Sequence, residues 1–296
     1  MIKFLEGHQV SFRENVSGKK LTNLKIGGNL SILVEPDSED KLLSVVRYFK
    51  NQEVNFRIIG AGSNLLIPDE GLKYPVIKLP KAFRKYQEVS SGTFNVMAAI
   101  PLMRLSTELS RAGYSGLEFA GGIPASFGGA VKMNAGAHGG EMSEVVESVR
   151  IINQNGELQV LNNQEMKYSY RSSVISNSDV ILSAKIRLNK SSVPEEVLKL
   201  QQENLAYRKE TQPLNLPSAG SIFKNPLPSY AGELIEKLGF KGHRQGGAIV
   251  SDIHANWIVN ESREATARDV RKLVESVQEK VFDRYQIKLK SELVIW

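Results

Sequence analysis

The 296-residue chain contains no cysteine. That excludes disulfides, thiolate-held metals and cysteine nucleophiles, though it assigns no compartment by itself. No run approaches the roughly 20 apolar residues that cross a bilayer. The opening MIKFLEGHQVSFRENVSG carries Glu6 and His8 where a secretory leader needs an apolar stretch, so neither membrane insertion nor secretion is expected. The four histidines, His8, His138, His243 and His254, are too scattered for a metal motif, and no metal is expected. Blocks of one charge are missing too. A formal charge of +6 and a pI near 9.3 would suit nucleic acid, a membrane surface or small anions. The cations nevertheless come in ones and twos, as at Lys19 and Lys20, Arg84 and Lys85, Arg208 and Lys209, and Arg271 and Lys272, with acids nearby. Such scatter does not track a phosphate backbone. Small anionic molecules are the preferred partners, and no nucleic acid is expected.

What is present is glycine in one place. From Gly113 to Gly140 the chain reads GYSGLEFAGGIPASFGGAVKMNAGAHGG. A flexible linker would be polar and simple, whereas here Leu117, Phe119, Ile123, Pro124, Phe127, Val131 and Met133 are threaded between the glycines. Glycine lets backbone approach a ligand closely, and a turn rich in N–H groups attracts anions. The segment therefore points to a large phosphate-bearing ligand, with a set of tight turns as the plainer alternative.

With 41% hydrophobic residues the chain can bury a full core, in one large domain or two to three smaller ones. A strand is expected at Ser31 to Val34, a helix from Ser38 to Lys50 with Leu42, Val45, Val46 and Phe49 on one face, and a strand at Asn55 to Ile59. This βαβ pattern runs into Gly60-Ala61-Gly62-Ser63-Asn64. The turn lacks the third glycine and the following helix of a dinucleotide fingerprint, so it is not a Rossmann site. Its N–H groups and the Ser63 hydroxyl could still hold a diphosphate. Further strands are expected at Val149 to Asn153 and Glu157 to Leu161, joined through Asn155-Gly156, and at Val180 to Leu188. A helix from Pro194 to Lys209 would use Leu198, Leu205 and Tyr207 among its apolar positions. The proline-rich stretch from Thr211 to Pro228 reads as a boundary. Beyond it lie an amphipathic helix from Thr266 to Tyr285, opened by a Thr266–Asp269 capping box, and a terminal strand from Ile287 to Trp296.

Taken in order, IGAGSNLL, GLEFAGGIPASFGGAVKMNAGA, YSYRSS, SAGSIFKNP, GGAIVSDIHANWIVN and the closing ATARDVRKLVESVQEKV and IKLKSELVIW resemble the UDP-N-acetylenolpyruvoylglucosamine reductase (MurB) family, from about Thr22 to the last residue. The resemblance implies an α+β flavoprotein of the cytoplasm that acts in peptidoglycan precursor synthesis, and so in cell-wall biogenesis, cell shape and division. It would have an FAD-binding fold of the vanillyl-alcohol oxidase type in two subdomains and a C-terminal substrate-binding domain. Residues 1–68, with 290–296 returning to them, would form the first subdomain, 69–210 the second, and 211–289 the substrate domain. NADPH would deliver hydride to non-covalent FAD, and the enolpyruvyl ether of UDP-N-acetylglucosamine would then take it up to give UDP-N-acetylmuramate. A monomer is expected.

The same resemblance places FAD against Gly60, Ala61, Gly62, Ser63 and Asn64. It adds Gly121, Gly122, Ile123, Pro124, Ser126, Gly128, Gly129, Asn134, Ala135 and Gly136 from the glycine-rich segment. Arg171 would hold the substrate carboxylate and stabilise the growing enolate charge, a task suited to a fixed guanidinium fork. Glu292 would polarise the same carboxylate, and Ser221 would donate a proton to the adjacent carbon. Tyr170, Lys224 and Asn225 would contact substrate. Read without the resemblance, Arg171 is a surface ion pair at a strand end, Glu292 a solvated acid, and Ser221 a turn former. Ala125-Ser126 and His138 depart from the glycine-threonine and tyrosine common among relatives, so packing at the flavin would differ in detail, and His138 could touch flavin or substrate. The short stretch from Pro226 to Gly239 leaves no room for the tyrosine-bearing lid of one subclass. Another FAD-dependent oxidase or dehydrogenase of this fold, or a basic nucleotide- or nucleic-acid-binding protein, are the alternative classes.

Overall fold

Two separate hydrophobic cores organise the chain, described over residues 1–296 in a computed structural model. The first compact unit gathers Met1–Glu14, Ile32–Ala61 and Tyr74–Ala206, and the second gathers Asn15–Ser31, Gly62–Lys73 and Tyr207–Trp296. No helix is long and apolar enough to cross a membrane.

In the first unit the βαβ pattern expected from the sequence is present. The helix Glu39–Asn51 starts where the Ser38 hydroxyl accepts the Lys41 N–H, and it carries Glu39 and Asp40 in its first turn. It buries Leu42, Val45, Val46 and Phe49 at helical spacing. Strands Asn29–Glu35 and Arg57–Ile59 flank Val76–Lys78, all parallel, with Leu33 opposite Val76 and Arg57 opposite Val76 from the other side. A second sheet of five antiparallel strands runs in the order Leu158–Asn162, Val146–Ile152, Val180–Arg187, Thr93–Met97, Tyr86–Ser90. The short helix Phe127–Lys132 packs on the central strands Val180–Arg187 and Thr93–Met97. Its Gly128 N–H donates to the Ala98 carbonyl at 2.9 Å, which pins the glycine-rich segment to the sheet.

The second unit is a four-stranded antiparallel sheet in the order Ser218–Ser221, Trp257–Val259, Ala248–Val250, Arg244–Gln245, and its core includes residues of the helices Ala231–Lys237 and Ala267–Tyr285. The long helix begins with the expected capping box: the Thr266 hydroxyl accepts the Asp269 N–H and the Asp269 carboxylate accepts the Thr266 N–H. Leu24, Ile26 and Leu66 reach this core from distant parts of the chain.

Two expectations need correcting. The terminal strand is only Val294–Ile295, parallel to Leu65–Leu66, with one further bridge between Ser291 and Phe223, because residues 286–290 have no strand partner. In the helix Pro194–Thr211 the buried positions are Val197, Gln201 and Arg208, whereas Tyr207 is 59% exposed. The buried stripe is largely polar, so hydrophobic periodicity placed it on the wrong residues.

Candidate functional site

Gly60 lies against Ser126 in the first unit. A Cβ at Gly60 would stand 2.3 Å from the Ser126 hydroxyl, which itself accepts the Gly129 N–H and so caps the helix Phe127–Lys132. This contact fixes one end of the glycine turn against the glycine-rich segment. The segment then continues through Asn134, fully buried at a φ of +43°. The Asn134 side chain donates to the Glu141 carboxylate (2.9 Å) and the Ser169 carbonyl (3.2 Å), and accepts the Ser143 N–H (2.9 Å). Its amide is thus engaged by protein groups, and it ties the segment to the turn that bears Arg171.

Arg171 occupies that turn with Tyr170. Ser169 and Ser172 exchange both backbone hydrogen bonds, at 3.1 and 3.0 Å, leaving Tyr170-Arg171 as the two-residue tip. Arg171 has a φ of +56°, a left-handed conformation in which glycine or asparagine normally sits. Strain of this kind costs about 1 kcal/mol or more and gathers at functional sites. The guanidinium donates to the Gly136 carbonyl at 2.7 Å and the Asn134 carbonyl at 3.4 Å, and lies 5.1 Å from the centre of the Tyr170 ring. Its planar head is therefore already oriented by backbone. Lys132 anchors the far side of the turn, donating to the Ser176 carbonyl and the Asn177 amide, while the Ser173 hydroxyl donates to the Lys132 carbonyl. Burial pushes the Lys132 ammonium below its ordinary range, partly offset by Asp179.

In the second unit, Gly62 holds a φ of +67°, and a Cβ there would meet the Leu21 carbonyl oxygen at 2.0 Å. Only glycine fits. Asn64 donates from its side chain to the Glu292 carbonyl at 2.9 Å and accepts the Val294 N–H on its own carbonyl at 3.1 Å. Its amide oxygen Oδ1 is buried with no partner. A buried orphan acceptor costs about 1–3 kcal/mol unless a donor reaches it, so it suits a ligand that carries N–H or O–H groups. The carbonyl of Ile222 accepts the Glu292 N–H at 2.7 Å and the Leu293 N–H at 3.2 Å. Ser221 and Glu292 are thereby joined across one hydrogen-bonded residue, although they are 71 positions apart in the chain (292 − 221). The Lys224 N–H donates to the Lys290 carbonyl, and the Asn225 side chain accepts the Ala231 N–H at the start of the helix Ala231–Lys237.

The expected residues thus fall into two groups. Gly60, Ala61, the glycine-rich segment, Tyr170 and Arg171 belong to the first unit; Gly62, Ser63, Asn64, Ser221, Lys224, Asn225 and Glu292 belong to the second. Glu292 lies between the Ser291 bridge and the short strand Val294–Ile295 rather than within a strand. Sequence reasoning passed over Asn256, Asp69 and Gln201. Gln201 is buried, donates to Thr107 at 3.2 Å and packs on the backbone of Gly121. A polar residue at a buried helical position was the available signal.

A glycine-rich segment pinned to a mixed α and β scaffold is what a flavin-dependent oxidoreductase needs to bring backbone close to its cofactor. In keeping with this, residues 30–162 match the FAD binding domain family, and residues 212–296 match the C-terminal domain of UDP-N-acetylenolpyruvoylglucosamine reductase. The UDP-N-acetylenolpyruvoylglucosamine reductase of Bacillus pumilus is 41% identical over 295 residues, covering 99% of this chain and 96% of that protein. The Bacillus subtilis protein of the same name is 43% identical over 276 residues, covering 93% of this chain and 90% of its own. The crystal structure of the Thermus caldophilus reductase superposes with a TM-score of 0.83 at 36% identity, covering 97% of this chain and 98% of that one. The chain belongs to the UDP-N-acetylenolpyruvoylglucosamine reductase family.

Proposed function

We propose that this protein reduces the enolpyruvyl ether of UDP-N-acetylglucosamine to UDP-N-acetylmuramate at the expense of NADPH, in the cytoplasm, as a step in peptidoglycan precursor synthesis. FAD, held by the Gly60–Asn64 turn and residues of the Gly121–Gly136 segment, would supply the hydride chemistry that links NADPH to the enolpyruvyl substrate. Residues 1–68 with 290–296, and residues 69–210, are assigned to holding FAD, residues 211–289 to the substrate, and the protein acts as a monomer.

The chain's own residues would divide the remaining work. Arg171 pairs with the substrate carboxylate and stabilises the negative charge that develops as hydride arrives. Its preset orientation on the Gly136 and Asn134 carbonyls supports that role, because a guanidinium already fixed loses little freedom on binding. Ser221 gives its proton to the carbon next to the carboxylate, and solvent returns a proton to the alkoxide. Serine can act as an acid here because the acceptor is a carbanion-like carbon. Glu292 polarises the carboxylate and sets the donor's position. Tyr170, Lys224 and Asn225 line the substrate's path, and the Gly60–Asn64 turn with Gly121–Gly136 cradles FAD.

The single observation that carries the reading is the junction at Ile222, which keeps Ser221 and Glu292 neighbours in a segment otherwise short of regular structure. Anaerobic stopped-flow spectroscopy tests it. Ser221→Ala should leave flavin bleaching by NADPH intact, while recovery of flavin absorbance on adding the enolpyruvyl substrate slows by about 10²–10⁴-fold, the range of general acid catalysis. Equal slowing of both phases would assign Ser221 a structural role. Bleaching without any recovery in the unmodified protein would move the function to another flavin-dependent dehydrogenase.

A further inference from the structure

The strand Ser218–Ser221 reaches Ser221 by an irregular route. Ser218 lies opposite Val259 and Ser221 opposite Trp257, so three steps on one strand face two on the other, and Gly220 takes a φ of +75°. A bulge of this kind loosens the ladder just before the serine and re-aims the side chains that follow it. Past Ser221 the strand has no further ladder partner on the Trp257 strand, yet Ile222 and Phe223 are buried and their polar backbone groups need partners.

Asn256 supplies them. It is 4% exposed. Its side-chain oxygen accepts the Phe223 N–H at 2.9 Å, its side-chain nitrogen donates to the Phe223 carbonyl at 2.8 Å, and its backbone carbonyl accepts the Ile222 N–H at 2.9 Å. The amide acts as a substitute strand residue, pairing both polar groups of Phe223 as a ladder neighbour would. Asn256 is itself steadied by its N–H, which donates to the His254 Nδ1 at 3.2 Å. On the opposite side, residues 290–293 hold the same two residues: the Glu292 and Leu293 N–H groups reach the Ile222 carbonyl, and Phe223 bridges Ser291. The segment following Ser221 is thus clamped between Asn256 and the stretch that carries Glu292.

We propose that Asn256 is a positioning residue for Ser221, fixing the hydroxyl in register with Glu292 through the backbone of Ile222 and Phe223. This rests on the reading of Ser221 as proton donor. An apolar side chain at 256 would fill the space but leave the Phe223 N–H and carbonyl buried without partners. The bulge would then set the direction of Ser221 alone. A displacement of about 1 Å at a proton-transfer site costs roughly 10²-fold in rate.

The test uses the FAD-loaded full-length protein with Asn256→Ala, Asn256→Asp, Ser221→Ala and the two double variants. Asn256→Asp keeps the shape and the acceptor for the Phe223 N–H while removing the donor, so it decides the matter if the alanine variant fails to fold. The expected result is flavin reduction by NADPH within a few-fold of the unmodified protein, reoxidation by the enolpyruvyl substrate slower by about 10–10²-fold, and no further slowing when Ser221→Ala is already present. Amide hydrogen exchange should quicken at Ile222 and Phe223 but not along the helix Ala267–Tyr285. Equal loss in both half-reactions, or an undiminished further loss in the double variants, overturns the role assigned to Asn256. A Ser221→Ala protein that is reoxidised at the normal rate overturns instead the reading beneath it.

Discussion

Replacing Asp69 with alanine should unfasten the start of the helix Ala267–Tyr285. The Asp69 carboxylate accepts the Ala267 N–H at 2.7 Å and the Arg268 N–H at 3.0 Å, the first two amides of that helix, while Thr266 takes the third through Asp269. A helix leaves its first N–H groups without internal partners, and a carboxylate there also meets the positive end of the helix dipole. The Ala267 bond is partly buried and charge-assisted, contributing about 1.5 kcal/mol, whereas the exposed Arg268 N–H can turn to water and contributes about 0.5. Adding about 0.3–1 kcal/mol for the dipole, Asp69→Ala should lose about 2–3 kcal/mol and Asp69→Asn about half of that. Urea unfolding followed by tryptophan fluorescence reads this directly, because the only two tryptophans, Trp257 and Trp296, both lie in the unit that contains this helix. A loss below about 0.5 kcal/mol for Asp69→Ala would refute the reasoning, since a carboxylate bonded to two helix amides cannot be that cheap to remove.

Two further perturbations probe other parts of the site. Gly60→Ala must push the Ser126 hydroxyl off the Gly129 N–H, so it should cost about 1 kcal/mol of stability and weaken FAD retention; once Ser126→Ala has removed that hydroxyl, adding Gly60→Ala should cost little more, and full additivity in thermal melts would count against the contact. Burial holds the His254 imidazole below its ordinary value of 6.5, with Lys241 adding to the effect and Glu236 opposing it. The unfolded chain then binds more protons than the folded one just below pH 6.5, so stability should fall as pH drops through that region. His254→Gln should flatten this part of the pH–stability curve, and an unchanged slope would show that the imidazole contributes nothing to it.

How far the sequence revealed this architecture depended on whether a feature was local. The helix Ala267–Tyr285 was readable because its cap and its apolar face lie within one stretch, and the βαβ start was readable for the same reason. The glycine-rich segment stood out because a cluster of small residues among bulky ones is itself a local signal, and the structure packs it onto the antiparallel sheet. Asp69 escaped notice, since its partners lie 198 and 199 residues away, and so did Asn256, 33 residues from Phe223. Hydrogen bonds between remote segments leave no periodicity to read. The helix Pro194–Thr211 misled for a different reason: its buried stripe uses Gln201 and Arg208, which a hydrophobic pattern scores as surface. The last ten residues carried strand-forming residues, but pairing depends on a partner edge, and Leu65–Leu66 offers only two residues of it.

The way the second unit is stitched from Asn15–Ser31, Gly62–Lys73 and Tyr207–Trp296 has a kinetic side. Leu24, Ile26 and Leu66 leave the ribosome early, yet other members of the same core, such as Val270 and Leu273, are made near the end. At roughly 5–20 residues per second the wait is on the order of 10–40 s. For that interval the nascent chain carries uncovered apolar side chains and the unpaired strand Leu65–Leu66. The unit's closing contacts are long-range and therefore slow to form. Synthesis of this protein is thus a period of aggregation risk, one that slower translation lengthens and that a chaperone holding the early segments would shield.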